Sequence, residues 1–367
     1  MVFSFILMEK NSISGIDLSE RFFYEVVKSV VDTEFPDLRY AAALLGPGSE
    51  VLGLDDDISK DHDWGLRLFL FIEESEYDYL SLTLNQLFRD RLPYTFLAHS
   101  TNWALNEDKT MRPEYTEEGE VNHRIQIHSV QSYLKNYLGI ENLDLSEKEW
   151  LLLPEQRLLE FVSGKIFYNN NLGELTVARS KLFYFPDNVW KFKILSQWCR
   201  ISEEIAFVGR TRMLGDELGS RIEASRLVRM LVELAFILKR KYVPYAKWMT
   251  TLFMLLPIAK TLHPLLMEIL NEVDSSRREE LLCESYLLML EEQNKLHITP
   301  EIQGKTQQFH TRPQLIVNID EIIKELEKVV EQPLKDLKHI GSIDQFIDST
   351  TIQSDSIFAK NAKGFFE

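Results

Sequence analysis

The sequence predicts an α+β protein, in which a region of strands and helices is followed by a region built only of helices. Strand-like apolar segments occur within the first 145 residues, whereas from Ser146 onward the apolar residues recur with helical spacing. A length of 367 residues exceeds one ordinary domain and suits two. We therefore predict a first domain over residues 1–145, a helical domain over 146–349, and a weakly ordered tail over 350–367.

The first domain is predicted to alternate helices and strands. A helix over Asp17–Asp32 presents a stripe of Phe and Val, with Ser19 or Asp17 as its cap. The segments that follow are a strand at Tyr40–Leu45, a glycine turn, an acidic loop at 50–60, a strand that opens at Asp61, a helix at Tyr77–Leu92, a short strand at Tyr94–His99, a polar loop at 101–119 and an alternating strand at Val121–Val130.

The second domain is predicted to be a helical bundle. A turn is predicted at Phe167–Gly173, where the sequence reads YNNNLG towards its end. The predicted helices are 154–163, 176–183, 189–209, 216–241, 263–271, 276–296 and 320–330.

Composition indicates the cellular compartment of the protein and argues against some classes of binding partner. The net charge of −16 argues against non-specific binding to nucleic acid or to an anionic membrane. No apolar run reaches the roughly 18–20 residues of a membrane helix, and the amino-terminal segment lacks the basic region of a signal peptide. Met8 is an alternative start to Met1. The two cysteines, Cys199 and Cys283, lie in helical patterns and indicate reduced core residues. We predict a cytoplasmic protein.

Two aspartates at the start of a buried strand are the most informative feature. Asp61 and Asp63 are two residues apart, so on a strand they share one face, with Cα atoms roughly 6.6 Å apart. Solvent would weaken the repulsion between the two carboxylates, and a divalent cation, Mg²⁺ or Mn²⁺, bound between them would make the net electrostatic energy favourable. The glycine of the preceding Gly48-Ser49 pair would let the backbone approach a phosphate. The alternative is a polar turn that enters a structural strand. We interpret Asp55–Asp57 as a solvated acidic loop.

Gly48-Ser49, followed by Ser59, Asp61 and Asp63, resembles the Gly-Ser…Asp-x-Asp motif of the nucleotidyltransferase superfamily, which includes DNA polymerase beta-like enzymes and aminoglycoside adenylyltransferases. The resemblance implies a mixed sheet with flanking helices. It also implies nucleotide phosphates at Gly48 and Ser49, and two metals at Asp61 and Asp63 that assist transfer of a nucleoside monophosphate from a triphosphate.

Further sequence blocks resemble an uncharacterised two-domain bacterial branch of that superfamily, from about Asp17 to Asp348. These blocks are PEQRLLE, LGELT, YFPDNVW, FVGR, GDELGS and YVPYAKW. The branch implies no particular acceptor, so a small molecule, an RNA end and a protein side chain all remain open, as does the oligomeric state.

The strand at Val121–Val130 departs from the superfamily pattern, because its body carries no third carboxylate. Gln126 or His128 occupies the expected position. His128 is a candidate general base, although a histidine on a strand face commonly serves as a simple hydrogen-bonding residue. The missing acid leaves open a nucleotide-binding regulatory protein, or an antitoxin-like one, with weak or no turnover.

Several other residues are candidates for nucleotide binding. Ser59 could touch a phosphate or close a turn, and Arg67 could steady the carboxylates or a phosphate. In the second domain, Arg226 and Arg229 belong to an arginine stripe that either is solvated or lines a cleft between the domains. Lys247 lies in an aromatic and basic run that could meet a base and a phosphate or simply close a helix hairpin.

Overall fold

The protein divides into two compact units in a computed structural model that describes residues 13–60, 64–107 and 109–367. The first unit comprises residues up to 143 together with 160–183, and the second comprises 144–159 together with 184–367. The first unit contains the sheet and the second is mainly helical, so the protein has the α+β architecture that the sequence predicts.

Residues 13–183 contain both helices and strands. In chain order these are α1 (Gly15–Phe22), which continues through a π-turn (Phe23–Val27) into α2 (Lys28–Glu34), β1 (Tyr40–Leu44), a 3₁₀ turn (Glu50–Leu52), β2 (Arg67–Ile72), α3 (Glu74–Arg91), β3 (Thr95–Phe96), β4 (His99–Ser100), β5 (Trp103–Leu105), β6 (Met111–Pro113), β7 (Arg124–Ser129), α4 (Val130–Tyr133), a second π-turn (Leu134–Leu138), α5 (Glu147–Trp150), α6 (Glu155–Ser163), β8 (Lys165–Asn169) and α7 (Gly173–Lys181).

A mixed four-stranded sheet in the order β7-β2-β1-β8 forms the centre of the first unit. Strand β1 pairs antiparallel with β2 and β8, and β2 pairs parallel with β7. Every residue of β1 and β2 is buried, as expected for strands covered on both faces. In this register Ala43 lies opposite Phe69. The end of β1 and the beginnings of β2 and β7 therefore lie at the same edge of the sheet.

The second unit continues from residue 184 mainly as helices. They are α8 (Asp187–Glu204), α9 (Phe207–Met213), α10 (Glu217–Leu238), α11 (Ala246–Phe253), α12 (Ala259–Asn271), α13 (Ser275–Asn294), the hairpin β9 (Thr306–Gln308) and β10 (Leu315–Val317), α14 (Ile319–Glu327), a 3₁₀ turn (Leu334–Asp336), α15 (Ile343–Phe346), α16 (Thr350–Gln353), α17 (Ser356–Ala359) and a closing 3₁₀ segment (Lys360–Phe365).

The core of this bundle is apolar, with a few buried polar groups. Helix α10 packs against α8, α9 and α13. The indole of Trp198 on α8 is fully buried and donates a hydrogen bond to the side chain of Gln293 on α13. Within the part of the chain that the structure describes, no helix is both long and apolar enough to cross a membrane.

The structure differs from the sequence-based expectations at several places. The strand predicted to open at Asp61 begins at Arg67, and residues 64–66 lie outside the sheet. Residues 165–169 form β8 rather than a turn, because they complete hydrogen bonds along β1, and so residues 160–183 belong to the first unit. The predicted polar loop contains the β5–β6 hairpin, which is held by the buried ring of Trp103. Residues 350–367 form short helices, and their Phe366 is buried against Phe346, so this segment packs on the second unit.

Candidate functional site

The Gly48-Ser49 turn lies between β1 and β2, and its conformation requires glycine. Gly48 has φ of +137°, a backbone conformation that other residues rarely adopt. A Cβ atom at this position would lie 2.1 Å from Nη2 of Arg67 and 2.6 Å from Oε2 of Glu50. Glycine therefore lets the turn approach two buried charged side chains, and an alanine would not fit without a shift of both.

Arg67 and Glu50 form a buried ion pair beneath this turn. The shortest nitrogen–oxygen distance is 2.6 Å, and the side chains are only 4% and 1% exposed. Nε of Arg67 also donates to Oε1 of Glu50 at 2.8 Å, and Nη2 donates to the carbonyl of Pro47 at 2.5 Å. The structure thus places Arg67 at the predicted phosphate turn, with its guanidinium engaged by the turn itself.

The second carboxylate oxygen of Glu50 is the unusual atom of this pair. Oε2 is buried and has no hydrogen-bond partner among the described residues. A buried carboxylate oxygen without a donor is unfavourable unless a cation or a donor from a ligand compensates it. Hard carboxylate oxygens are the ligands that Mg²⁺ prefers, so this atom fits a divalent cation near the turn.

Ser49 and Ser59 contact each other across the loop. The Ser49 hydroxyl is buried and donates to the carbonyl oxygen of Ser59 at 3.3 Å. The backbone N–H of Ser59 in turn donates to Oδ1 of Asp56 at 2.7 Å. The fold therefore brings Ser49, the predicted phosphate-binding serine, next to Ser59, and the Ser49 hydroxyl links the two ends of the loop.

The acidic loop is not wholly solvated, which corrects the prediction for Asp55. Its carboxylate is buried and accepts hydrogen bonds from the backbone N–H of Gly15 at 2.7 Å and from Nε1 of Trp64 at 3.2 Å. Asp56 and Asp57 are exposed, as predicted. Asp55 thus anchors the start of α1 and the start of the segment that leads into β2.

The two predicted metal ligands, Asp61 and Asp63, lie outside the described residues. Within residues 13–60, 64–107 and 109–367, no group of three or more His, Cys, Asp or Glu side chains is arranged to hold a metal ion. A metal site at this edge of the sheet therefore depends on the two aspartates, and it stays a prediction.

His128 lies away from the Gly48 turn along the sheet. In the parallel β2–β7 register Arg67 lies opposite Arg124 and Phe71 lies opposite His128, a separation of four residues or roughly 13 Å. The imidazole packs against the rings of Phe69 and Tyr133, and burial lowers its pKa to about 4. His128 is therefore neutral near pH 7 and is a weak base.

The other three predicted nucleotide contacts belong to the second unit. Arg226 pairs with Glu204, and Arg229 pairs with Glu233 and Asp348. These arginines line a cavity of about 340 Å³ that lies within the helical unit. Lys247 is exposed, with its ammonium 4.6 Å from the ring centre of Trp248.

Local sequence patterns do not predict the roles of two polar residues, Glu50 and Asp344, which the structure shows to be buried or hydrogen-bonded. Glu50 follows the Gly-Ser turn, but its partner Arg67 is 17 residues away and carries no motif. Asp344 accepts a hydrogen bond at 2.9 Å from the backbone N–H of Glu155, which is 189 residues earlier. Only the folded chain reveals such pairs, because neither partner stands in a local pattern.

Comparisons with known proteins find two similarities, and neither of them shows an activity. Residues 150–249 match the family model DUF4037, a domain of unknown function. No curated protein matches the chain. A crystal structure of a nucleotidyltransferase-like protein from Exiguobacterium sibiricum 255-15 is similar with a TM-score of 0.33 and 12% sequence identity, over 85% of this chain and 89% of that chain. The geometry of the Gly48-Ser49 turn is therefore what supports a function.

Proposed function

We propose that the protein is a metal-dependent nucleotidyltransferase that moves a nucleoside monophosphate from a triphosphate to an acceptor. Gly48 and Ser49 bind the phosphates, with Ser59 beside them, and Asp61 and Asp63 hold the metal. The acceptor is a small molecule, an RNA end or a protein side chain.

The observation that supports this proposal most is the conformation of the Gly48-Ser49 turn, which lies at the edge of the sheet where β1 ends and β2 begins. Gly48 has a positive φ, the space that a side chain would need is filled by Arg67 and Glu50, and the residue lies three positions before Val51 in a short 3₁₀ turn. Strand β2 begins at the same edge, immediately after the segment that contains the two aspartates. The proposal requires the two aspartates, which precede β2 by a few residues in the sequence, to hold the metal at this edge.

The residues of the chain would supply binding and positioning. Mg²⁺ bound at this edge would neutralise charge on the phosphates and polarise them for attack. Backbone N–H groups of the turn would hold phosphate oxygens, as would the Ser49 hydroxyl after giving up its hydrogen bond to the Ser59 carbonyl, and the Arg67–Glu50 pair would fix the turn beneath them. Rate enhancement would come chiefly from orientation and from stabilisation of charge.

Transfer of label from triphosphates labelled at the α-phosphate tests this proposal, with the full chain, Mg²⁺ and a panel of the three acceptor classes. We expect labelled product with wild type and a loss of at least about a hundredfold in Asp61→Asn and Asp63→Asn, within the range that positioned charged groups contribute to catalysis. Asp57→Asn is the matched control, because Asp57 is exposed in the same loop. Equal loss in all three variants would contradict the assignment.

A second candidate is a protein that binds the metal–nucleotide complex without turnover. The observation that favours it is strand β7, whose residues Arg124–Ser129 include no carboxylate, with His128 at the end far from the turn. This candidate predicts Mg²⁺-dependent nucleotide binding that disappears in Asp61→Asn, with no labelled product for any acceptor class.

A further inference from the structure

The helical unit contains a charged cavity that the proposed transfer reaction does not use. Its volume is about 340 Å³, within the usual size of small-molecule sites. Three arginines line it, Arg200 from α8 and Arg226 and Arg229 from α10. Three acids line it as well, Glu233 from α10, and Asp344 and Asp348 at and beyond α15.

The hydrogen-bonding capacity of Glu233 is taken up within the protein. Its Oε1 accepts from Nε of Arg229 at 3.1 Å. Its Oε2 accepts from Nη1 of Arg200 and from Nε2 of Gln197, both at 3.0 Å. The carboxylate is also nearly buried, with 6% of its side chain exposed. Glu233 therefore orients two of the arginines and has little capacity left for a ligand.

The arginines, in contrast, keep unused donors. A guanidinium has five N–H groups on three nitrogens. Among the described residues, no protein group accepts from Nη1 of Arg226, Nη2 of Arg229, or Nε and Nη2 of Arg200. Each arginine thus pairs with a carboxylate and still has at least one N–H-bearing nitrogen that donates to no described protein group.

Gln345, which lines the cavity, belongs to a buried hydrogen-bond network with residues of α8. The amide of Gln345, 3% exposed, donates to Gln197 Oε1 at 2.8 Å and to the carbonyl of Lys193 at 3.0 Å.

Burial, and then the nearby Glu155 carboxylate, raise the pKa of Asp344 to about 7. Asp344 is therefore only partly charged near neutral pH and opposes a bound anion less than an ordinary aspartate would.

We propose that this cavity binds a small molecule through an oxyanion, a phosphate or a carboxylate group, held by Arg200, Arg226 and Arg229. Planar guanidinium groups match both oxyanions through paired N–H donors. The site needs no divalent cation, and the proposal does not rest on nucleotidyl transfer.

Titration calorimetry with the full chain tests the site directly. Inorganic phosphate and citrate are titrated in separate experiments, in EDTA and at an ionic strength held constant with NaCl. We expect saturable binding of at least one probe, and the probe that binds identifies phosphate or carboxylate as the group recognised. A titration heat that shows no saturable binding for either probe would overturn the proposal.

Two variants locate the binding. Arg226→Gln removes an arginine of the cavity that is 56% exposed and should weaken binding about tenfold, the loss expected for one charge-assisted hydrogen bond. Arg221→Gln is the matched control, because Arg221 is a half-exposed arginine of the same helix paired with Glu217 outside the cavity. It should change affinity less than about twofold.

A substitution that adds charge checks the result independently of arginine loss. Ser225 is an exposed residue that lines the cavity, so Ser225→Asp should fold and should repel the probe. Unchanged affinity in both Arg226→Gln and Ser225→Asp, or an equal loss in Arg221→Gln, would place the binding elsewhere and refute the site.

Discussion

Each unit of the protein contains a buried ion pair, and the two pairs are satisfied to different degrees. In the helical unit Lys193 and Glu155 are fully buried, with 2.7 Å between Nζ and Oε1. The ammonium also donates to the Ser342 hydroxyl, and Oε2 of Glu155 accepts from the backbone N–H of Val243 at 2.9 Å. In the sheet unit Arg67 and Glu50 are almost as buried, but Oε2 of Glu50 has no partner among the described residues.

The difference separates a structural pair from a candidate functional one. A buried ion pair is tolerated when further hydrogen bonds satisfy its remaining groups, and the Lys193–Glu155 pair meets that condition. The Glu50 pair does not meet it, and it lies directly under the turn that the sequence predicts to bind phosphate. An unsatisfied buried acceptor at such a place indicates where a bound cation or ligand would complete the network.

The largest predicted effect compares Glu155→Gln with Glu50→Gln. Glutamine keeps one oxygen but replaces the other with an NH₂ group that cannot accept a hydrogen bond. Glu155→Gln should lower the unfolding free energy by about 3–5 kcal/mol, because it breaks a buried ion pair. It also replaces the oxygen that accepts from the Val243 N–H with an NH₂ group that cannot accept. Glu50→Gln should cost less by roughly 1.5–3 kcal/mol, since its Oε2 gives up no hydrogen bond.

Urea unfolding of each full-length variant, followed by circular dichroism, measures these costs. Glu325→Gln is the control, because Glu325 pairs with Lys328 on the surface and should cost about 0–1 kcal/mol. Equal losses for Glu50→Gln and Glu155→Gln would show that the two pairs are equivalent and would remove the distinction.

A comparable or smaller effect is expected from the pH dependence of the helical unit. The pKa of Asp344 is raised by burial to about 7, so the folded state binds more protons than the unfolded state between about pH 4 and 7. Its contribution to stability therefore decreases as pH rises through that range, by at most about 1.4 kcal/mol per pH unit. Asp344→Asn, which imitates the protonated form and can still accept from the Glu155 N–H, should remove this slope.

The difference in unfolding free energy between wild type and Asp344→Asn, measured at several pH values, isolates this group from all others. The unfolding free energy of Asp344→Asn should increase relative to that of wild type as pH rises from 4 to 7. A constant difference across that range would mean that Asp344 titrates normally.

The smallest predicted effect has the opposite sign and belongs to the sheet unit. Burial lowers the pKa of His128 to about 4, so the folded state binds fewer protons than the unfolded state between about pH 4 and 6.5. The stability that the neutral imidazole contributes is present above pH 6.5 and is lost as pH falls towards 4. His128→Gln should flatten that acid-side loss in the same urea assay, and a curve parallel to that of wild type would contradict the pKa shift.

Local patterns predicted much of the fold. The continuous apolar run of β2 and the alanine-rich β1 are strands as predicted, because strands buried on both faces require such runs. The first helix begins at Gly15 with Ser14 as its cap, a few residues before the predicted start. Strand β8 was missed, since KIFYN is stabilised by pairing with β1 and the asparagines after it indicate a turn.

The candidate site was predictable only where residues close in sequence form a motif. Gly48 and Ser49 were identified from the sequence, and the positive φ of Gly48 agrees with the need for glycine there. Glu50 was not identified, because its role depends on an arginine that folding brings from the next strand. The cavity of the helical unit depends on α8, α10 and the segment around α15, which no local pattern connects.

The most direct test of a metal-dependent nucleotide site at the Gly48-Ser49 turn is the binding of a non-hydrolysable nucleoside triphosphate to the full chain, measured by calorimetry with and without Mg²⁺. We expect saturable binding that requires Mg²⁺, that is lost in Asp63→Asn and that survives in the matched loop variant Asp57→Asn. Binding that is indifferent to Mg²⁺ and to Asp63→Asn, or no binding at all, would contradict it.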